Sequence, residues 1–273
     1  MKESRTHNST YPKVAIQWLN EALFFVPIAI GASFAVADSL VLQNHQLHAA
    51  AKRYRKFVLL ITLICTSNFG FGQSNAIKVK FIGNCGLYLT DGNSNIYIDF
   101  PYKSGAYKYM EYDRSEIDSI KDNAIFIFTH RHADHYSKKI LKKLNGQKFD
   151  PWNVSKIEKL AESITDFKIQ AFKTKHKVFG ISFKHYSYLI TWHGKKIYIS
   201  GDTGDLEDVS KIKDIDWAFV NPWLFMNSKN EKVKIDAKKF GIYHLYPNQK
   251  INGEIPNNLQ ILKNQGEIII LPY

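Results

Sequence analysis

The chain has 273 residues, 45% of them hydrophobic and 14% aromatic, and a formal charge of +12 at pH 7. This suits a globular protein with a real core, in one large domain or two small ones. The charge argues poorly for nucleic acid: residues 1–72 carry seven Lys/Arg against three Asp/Glu, and the thirty against twenty-two beyond them are scattered, as on a solvated surface.

Residues 1–50 contain an uncharged apolar run, Leu23 to Ala37. Residues 51–72 have the order of a secretory signal peptide. Four basic residues lie between Lys52 and Lys56, an apolar core runs from Phe57 to Cys65, and small or polar residues lead to Gly72-Gln73. That apolar core is too short to span a bilayer comfortably. The expectation is cleavage near Gly72/Gln73, export to the periplasm or the outside, and a working domain at 73–273. Residues 1–50 are then an extension ahead of the natural start or, as the alternative, a membrane anchor. Loss of Cys65 leaves Cys85 without an internal disulfide partner.

From residue 76 the sequence reads as a strand meander. Ile77 to Ile82 alternates apolar and basic residues, as a half-buried strand does. Cys85 to Thr90 and Ile96 to Phe100 are two further strands, with a turn cluster, TDGNSN, between them. Tyr102 to Lys121, of mixed charge, reads as a surface segment or lid. Ala124 to Phe128, "AIFIF", is a continuous apolar run of the kind that fits a strand buried on both faces.

Helices are expected at Ser137–Leu144, Val154–Glu162 and Asp236–Phe240. Strands are expected at Phe167–Phe172 and Trp217–Val220, with a hairpin of Tyr188–Trp192 and Lys196–Ser200 between them. Two runs of strands with helices interspersed suggest two packed sheets with helices outside.

The chemistry concentrates directly after the AIFIF strand, in "THRHADH": His130, His132, Asp134 and His135. Side chains alternate along an extended segment, so His130 and His132 point the same way and can reach one metal ion. Asp134 and His135, at the following turn, can serve a second ion. Imidazole suits Zn, Mn, Fe or Ni, and a carboxylate adds a hard ligand. Such a match arises by chance on the order of once in a thousand chains of this size.

Asp202, in "YISGDTGDL", follows a strand and is flanked by Gly201 and Gly204, so a close approach to a ligand is feasible there. His176 and His244 each follow a strand-like segment. His185 precedes one and is open to a ligand, substrate or supporting role. His193, in a hairpin turn, is expected to be solvated. Tyr186, Trp223 and Tyr246 lie near the candidate ligands in sequence and read as pocket lining or core.

The order HxHxDH, His, GDT, His resembles the metallo-β-lactamase superfamily, from about Ile77 to the C-terminus. "FIGNCGLYLTDGNSNIYIDF" looks like its opening strands, with Asp99 at the usual acidic position. The resemblance implies a four-layer αββα sandwich with a dinuclear site at one sheet edge. It implies that His130, His132 and His176 hold one metal, that Asp134, His135 and His244 hold the other, and that Asp202 bridges. His185 is the runner-up for the place of His176. Two divalent ions are implied, zinc foremost, with Mn or Fe as alternatives.

True β-lactamases often have a cysteine where this chain has Asp202, and Cys85, on an early strand, does not replace it. The C-terminal part looks more like the lactonase and phosphodiesterase branch, similar to ascorbate-6-phosphate lactonase. The expected function is a metal-dependent hydrolase of an ester, lactone or phosphodiester. A metal-bridged hydroxide would be its nucleophile, and Asp134 would be the catalytic carboxylate. Its partner would be a small-molecule substrate rather than nucleic acid, with a membrane engaged only through a retained N-terminal segment. Alternatives are a nuclease or RNA-processing enzyme on the same site, and a non-catalytic metal-binding member of the fold.

Overall fold

The computed structural model describes residues 75–249 and 254–273; the signal-peptide segment and the Leu23–Ala37 run lie outside them. No helix among the described residues is long and apolar enough to cross a membrane. The strands, in chain order, are β1 (Ala76–Gly83), β2 (Gly86–Thr90), β3 (Asn95–Ile98), β4 (Ala124–Ile127), β5 (Gln147–Phe149), β6 (Phe167–Lys173), β7 (Lys177–Val178), β8 (Ile181–Ser182), β9 (Tyr186–Trp192), β10 (Lys195–Ile199), β11 (Ile215–Val220), β12 (Ala237–Ile242), β13 (Leu259–Ile261) and β14 (Ile268–Pro272). They form two six-stranded sheets, β14-β1-β2-β3-β4-β5 and β13-β12-β11-β10-β9-β6, and a two-stranded ribbon, β7-β8.

The period-2 rule explains the layering. In β4, Ile125 and Ile127 join one apolar cluster, while Ala124 and Phe126 face a second with the adjoining Phe128. In β11, Trp217 and Phe219 point into the first cluster, and Ala218 and Val220 into a third. The first cluster takes residues from both large sheets and is the centre of the sandwich. The other two cover the outer faces, under the helices Lys138–Leu141 and Pro222–Asn230 respectively. Both faces of the central strands are therefore buried, which is why "AIFIF" and "WAFV" are uninterrupted apolar runs. Each fully buried Ile or Phe contributes roughly 1.5–3 kcal/mol of transfer free energy.

Three expectations are corrected. Asp236–Phe240 is not helical: Ala237–Ile242 is strand β12, parallel to β11 and β13. Ala and Lys favour helix locally, but hydrogen bonding on both edges and burial of Gly241 and Ile242 override that preference. Tyr102–Lys121 is only partly a surface segment. Tyr102 is fully buried, its hydroxyl donates to the Met110 carbonyl at 3.0 Å, and Tyr112 packs edge-on against Phe100.

His193 is not solvated: its Nε2 lies 3.1 Å from Asp91, its Nδ1 lies 3.5 Å from Asp166, and its ring stacks on Tyr273. The hairpin turn folds its ring back onto the C-terminal tyrosine. The segment Val154–Glu162 is wound as a 3-10 helix, and the helix after Ser137 is confined to Lys138–Leu141.

Parallel pairing positions the site. β3 runs parallel to β4, and β10, β11 and β12 run parallel to one another. Asp99 follows β3, His130 follows β4, Asp202 follows β10, Trp223 follows β11 and His244 follows β12. Residues far apart in sequence thus emerge at the C-terminal ends of strands.

Candidate metal centre

Two groups of donor atoms converge. His130, His132, His176 and Asp202 form one, and Cys85, His135, Asp202 and His244 form the other. In each group one donor atom per residue lies within 4.8 Å of all the rest, and Asp202 belongs to both. Asp202 Oδ1 is 3.0 Å from His135 Nε2 and 3.0 Å from His244 Nε2, while its Oδ2 is 3.7 Å from His130 Nε2. Asp134 Oδ2 lies 3.6 Å from His135 Nε2 and 3.4 Å from His244 Nε2. All of these side chains are buried except those of His132 and His176, which are half-buried.

The surroundings fix which nitrogen faces inward. Asp99, fully buried, accepts the Thr129 N–H at 2.7 Å and the Thr129 hydroxyl at 2.8 Å, and faces His135 Nδ1 at 2.9 Å. The His135 Nδ1 proton is thereby turned to the carboxylate, and Nε2 points into the centre. Thr129 Oγ1 also meets His130 Nδ1 at 3.1 Å, which turns His130 Nε2 inward. His176 Nδ1 donates to the Asp202 carbonyl at 3.0 Å, leaving Nε2 3.2 Å from His132 Nδ1. Orientation of ligand histidines by such partners is a general property of metal sites. Asp99 and His244 hold left-handed backbone conformations, φ 47° and 60°, as strained functional positions do.

The fit to metal ions rests on orphaned atoms. His130 Nε2, His135 Nε2, His244 Nε2 and Asp202 Oδ1 are buried and make no aligned hydrogen bond, although they crowd together, and Asp134 Oδ1 is a further buried atom without a partner. Buried polar atoms normally have partners. Four orphans converging on one point are accounted for by positive charge between them.

The electrostatics agree. Burial pushes the His130 imidazole well below its ordinary pKa. Burial acts the same way on His135 and His244, but the adjacent Asp202 outweighs it and holds both well above theirs. Burial also opposes ionisation of Asp202, but His135 and His244 outweigh it and keep the carboxylate well below the usual range. Positive charge is wanted at this point, and a dication supplies it in place of protons.

His185, the runner-up, is engaged elsewhere. Its Nε2 accepts the Asp202 N–H at 2.9 Å, its Nδ1 meets Thr174 Oγ1 at 2.7 Å, and burial pushes its pKa down to about 3. It is a neutral ring that supports the Asp202 backbone. His176 is the histidine that stands beside His132, their ring centroids 4.9 Å apart.

Of the three aromatic residues flagged in the sequence, Trp223 donates to the Asp202 carbonyl at 3.3 Å, and Tyr186 packs on the central core. Tyr246 is 49% exposed and stacks on Tyr109 at 4.3 Å. Tyr109, from the segment read as a lid, sets its edge against the His244 ring at 4.2 Å. The β7-β8 ribbon brings Phe183 to within 4.3 Å of the His132 ring.

Sequence reasoning missed two contributors. One is Tyr109, which carried no motif. The other is Cys85, whose neighbours Gly83, Asn84 and Gly86 marked a tight turn.

Comparison with known proteins places this geometry. No curated protein matches the sequence. A protein from Parabacteroides distasonis, proposed as a metal-dependent hydrolase, superposes with a TM-score of 0.50 at 22% identity, over 69% of this chain and 94% of its own. Igni18, described as a novel metallo hydrolase from the archaeon Ignicoccus hospitalis, gives a TM-score of 0.53 at 14% identity, over 72% of this chain and 99% of its own. At such identities the likeness shows the shared fold. The family model described as the beta-lactamase superfamily domain matches residues 78–222, more than half of the sequence, and the chain belongs to that family.

Proposed function

We propose that the protein is a metal-dependent hydrolase of a small ester, lactone or phosphodiester, closest in chemistry to the lactonase and phosphodiesterase branch of its superfamily. The observation that carries this reading is the pair of four-donor groups sharing Asp202. His130, His132 and His176 would hold one divalent ion, Asp134, His135 and His244 the other, and Asp202 would serve both. Ions bound there supply Lewis acidity and an activated water at neutral pH.

The chain's own residues do the rest. Asp134 Oδ1 is buried without a partner and Oδ2 lies beside His135 and His244, so the carboxylate is placed to take a proton during attack and return it to the leaving group. Trp223 and Tyr109 pack against His244 and keep water off that side of the centre. The rim at Tyr107, Phe183 and Tyr246 is aromatic and exposed, which suits a substrate with an apolar part.

A second reading has support in one feature. The exposed lysines Lys173 at the end of β6, Lys177 in the β7-β8 ribbon and Lys184 just after it surround the segment that leads to Phe183, with no carboxylate between residues 173 and 184. That favours an anionic substrate, a phosphodiester or a nucleic acid strand. Export through the segment 51–72 is part of the proposal for a periplasmic or extracellular small-molecule enzyme.

The test is a turnover screen of zinc-loaded protein on p-nitrophenyl acetate, a γ-lactone, bis-p-nitrophenyl phosphate and single-stranded RNA, with Asp202→Ala as control. Turnover that falls by at least ~100-fold in the variant supports the proposal. Two bound ions with no turnover on any substrate would leave a non-catalytic metal-binding protein.

A further inference from the structure

Cys85 is the one donor in the centre that the family resemblance does not account for. It lies in the turn between β1 and β2, fully buried, with a free thiol. A buried cysteine is most often a small apolar core residue, and Cys85 does border the central cluster. Two observations set it apart.

The first is where the turn is fastened. Asn84 Nδ2 donates to the Asp134 carbonyl at 2.9 Å, and the Asn84 carbonyl accepts the His244 N–H at 3.0 Å. The residue next to Cys85 is thus tied to two residues of the centre. Asn84 takes a left-handed φ of 48°, and a Cβ on Gly83 would come within 2.9 Å of the Tyr102 hydroxyl, so the turn has little room to shift. The placement of Sγ is held from several sides.

The second is what Sγ faces. Its neighbours within 4.8 Å are donor atoms of His135, Asp202 and His244. His135 Nε2, His244 Nε2 and Asp202 Oδ1 are among the buried atoms without hydrogen-bond partners. Two imidazoles and the Asp202 carboxylate are three donors; the fourth member of this group is Sγ and not the Asp134 carboxylate assigned to the ion above, and a tetrahedral zinc site takes four.

We propose that the Cys85 thiolate is a ligand of the ion held by His135, His244 and Asp202, making that site sulfur-containing and selective for zinc over manganese. The proposal rests on the metal-binding reading above. On binding, the thiol proton leaves to solvent and the sulfur lone pair occupies the fourth position; nothing is oxidised or reduced. Soft thiolate donors favour zinc, whereas all-oxygen and mixed oxygen–imidazole sites are kinder to manganese. The assignment also releases Asp134 from a ligand's duty. Its unpartnered Oδ1 is then free for proton transfer, and its Oδ2, 3.5 Å from Asn84 Nδ2, is steadied by the same turn.

The decisive measurement is zinc X-ray absorption on the full chain loaded with two equivalents of zinc. A sulfur scatterer at about 2.3 Å, at half an atom per zinc on average, is the expected result. Two zinc ions with nitrogen and oxygen neighbours only would overturn the Cys85 assignment and leave the metal-binding reading intact. No bound zinc would overturn both.

Cobalt(II) substitution tests the same point by variant. A thiolate-to-cobalt charge-transfer band in the near ultraviolet should be present in the wild type and in Cys65→Ser. It should be lost in Cys85→Ser, with the visible ligand-field bands retained. A band that persists in Cys85→Ser and vanishes in Cys65→Ser would sink the proposal. If Cys85→Ser does not fold, as judged by circular dichroism, the absorption result on the wild type decides alone.

Discussion

His185 holds Asp202 by its main chain: the imidazole Nε2 accepts the Asp202 N–H at 2.9 Å, while Nδ1 is anchored on Thr174 Oγ1 at 2.7 Å. The carboxylate common to both donor groups is therefore held from behind by the His185 ring. Supporting partners of this kind are worth 10–100-fold in metal affinity. His185→Ala should keep two zinc ions per chain at saturation but weaken their binding by roughly 10–100-fold. His176→Ala should lower the stoichiometry itself. Chelator-competition titration separates the two, and equal stoichiometric losses would refute the assigned roles.

Asp99 plays the matching part for His135. Its carboxylate accepts from the Thr129 backbone and hydroxyl and faces His135 Nδ1, all within 2.9 Å. Asn at this position retains the size but turns an amide N–H₂ toward one of these donors. Asp99→Asn should weaken zinc binding by about 10-fold or more through the misturned ring. An unchanged affinity in the same titration would show that His135 is oriented by packing alone.

Gly201 sits where no side chain fits. Its φ is +59°, and an added Cβ would lie 2.5 Å from His185 Nε2 and 2.7 Å from Thr129 Cβ. Gly201→Ala should lower stability by about 1–3 kcal/mol through overpacking and a strained backbone. Urea unfolding of metal-free protein is the measurement, because bound zinc would mask part of the loss. A midpoint equal to wild type would contradict the packing described here.

Asp91 should keep its charge to lower pH than an ordinary surface carboxylate. Burial raises the pKa of its carboxyl, but the N–H groups of Ser94 and Asn93 and the His193 ring outweigh that and hold it below the ordinary value. A depressed native pKa means that the stabilisation is fully present above the unfolded value, near pH 4, and is lost as pH falls through the native value. Asp91→Asn should therefore be less stable than wild type at pH 7 and approach it near pH 3. A difference that is constant across this window would exclude the linkage.

Phe183 bears on substrate choice, since its ring stands 4.3 Å from that of His132 and is 36% exposed. Phe183→Ala should raise KM for esters with aromatic or long acyl groups and leave acetate esters nearly unchanged. A uniform drop in kcat would instead mean that the metal centre had been disturbed.

How much of this was legible in advance follows from what each signal depends on. The strand "AIFIF" and the cluster after it were readable because burial on both faces leaves an unbroken apolar run, and HxHxDH packs four candidate donors within six residues. Asp202, between two glycines, read as no more than a turn aspartate on its own, and only the family resemblance raised it to a bridging candidate. The strand Ala237–Ile242 was not, because its local sequence favours helix and only pairing with β11 and β13 decides the matter. The helix Pro222–Asn230 went unread although Asn221 caps it through a 2.7 Å bond from the Leu224 N–H, because PWLFMNSKN has no clear apolar periodicity of a helix. Cys85 was seen as a strand residue, and its reach into the centre depends on a turn held by contacts 50 and 160 positions away in sequence. No local pattern carries that.

The β7-β8 ribbon is hydrogen-bonded as a sheet of its own, apart from the two large sheets. It is flanked by His176 and His185, whose carbonyls accept the Phe183 and Thr174 N–H groups, and none of the residues between them joins a buried apolar cluster. Phe179 at its tip is 99% exposed. Selection can lengthen, shorten or recolour this ribbon while the strands that carry the donor groups stay constant. Descendants of one such gene can therefore part company over what they hydrolyse without ever having to refold.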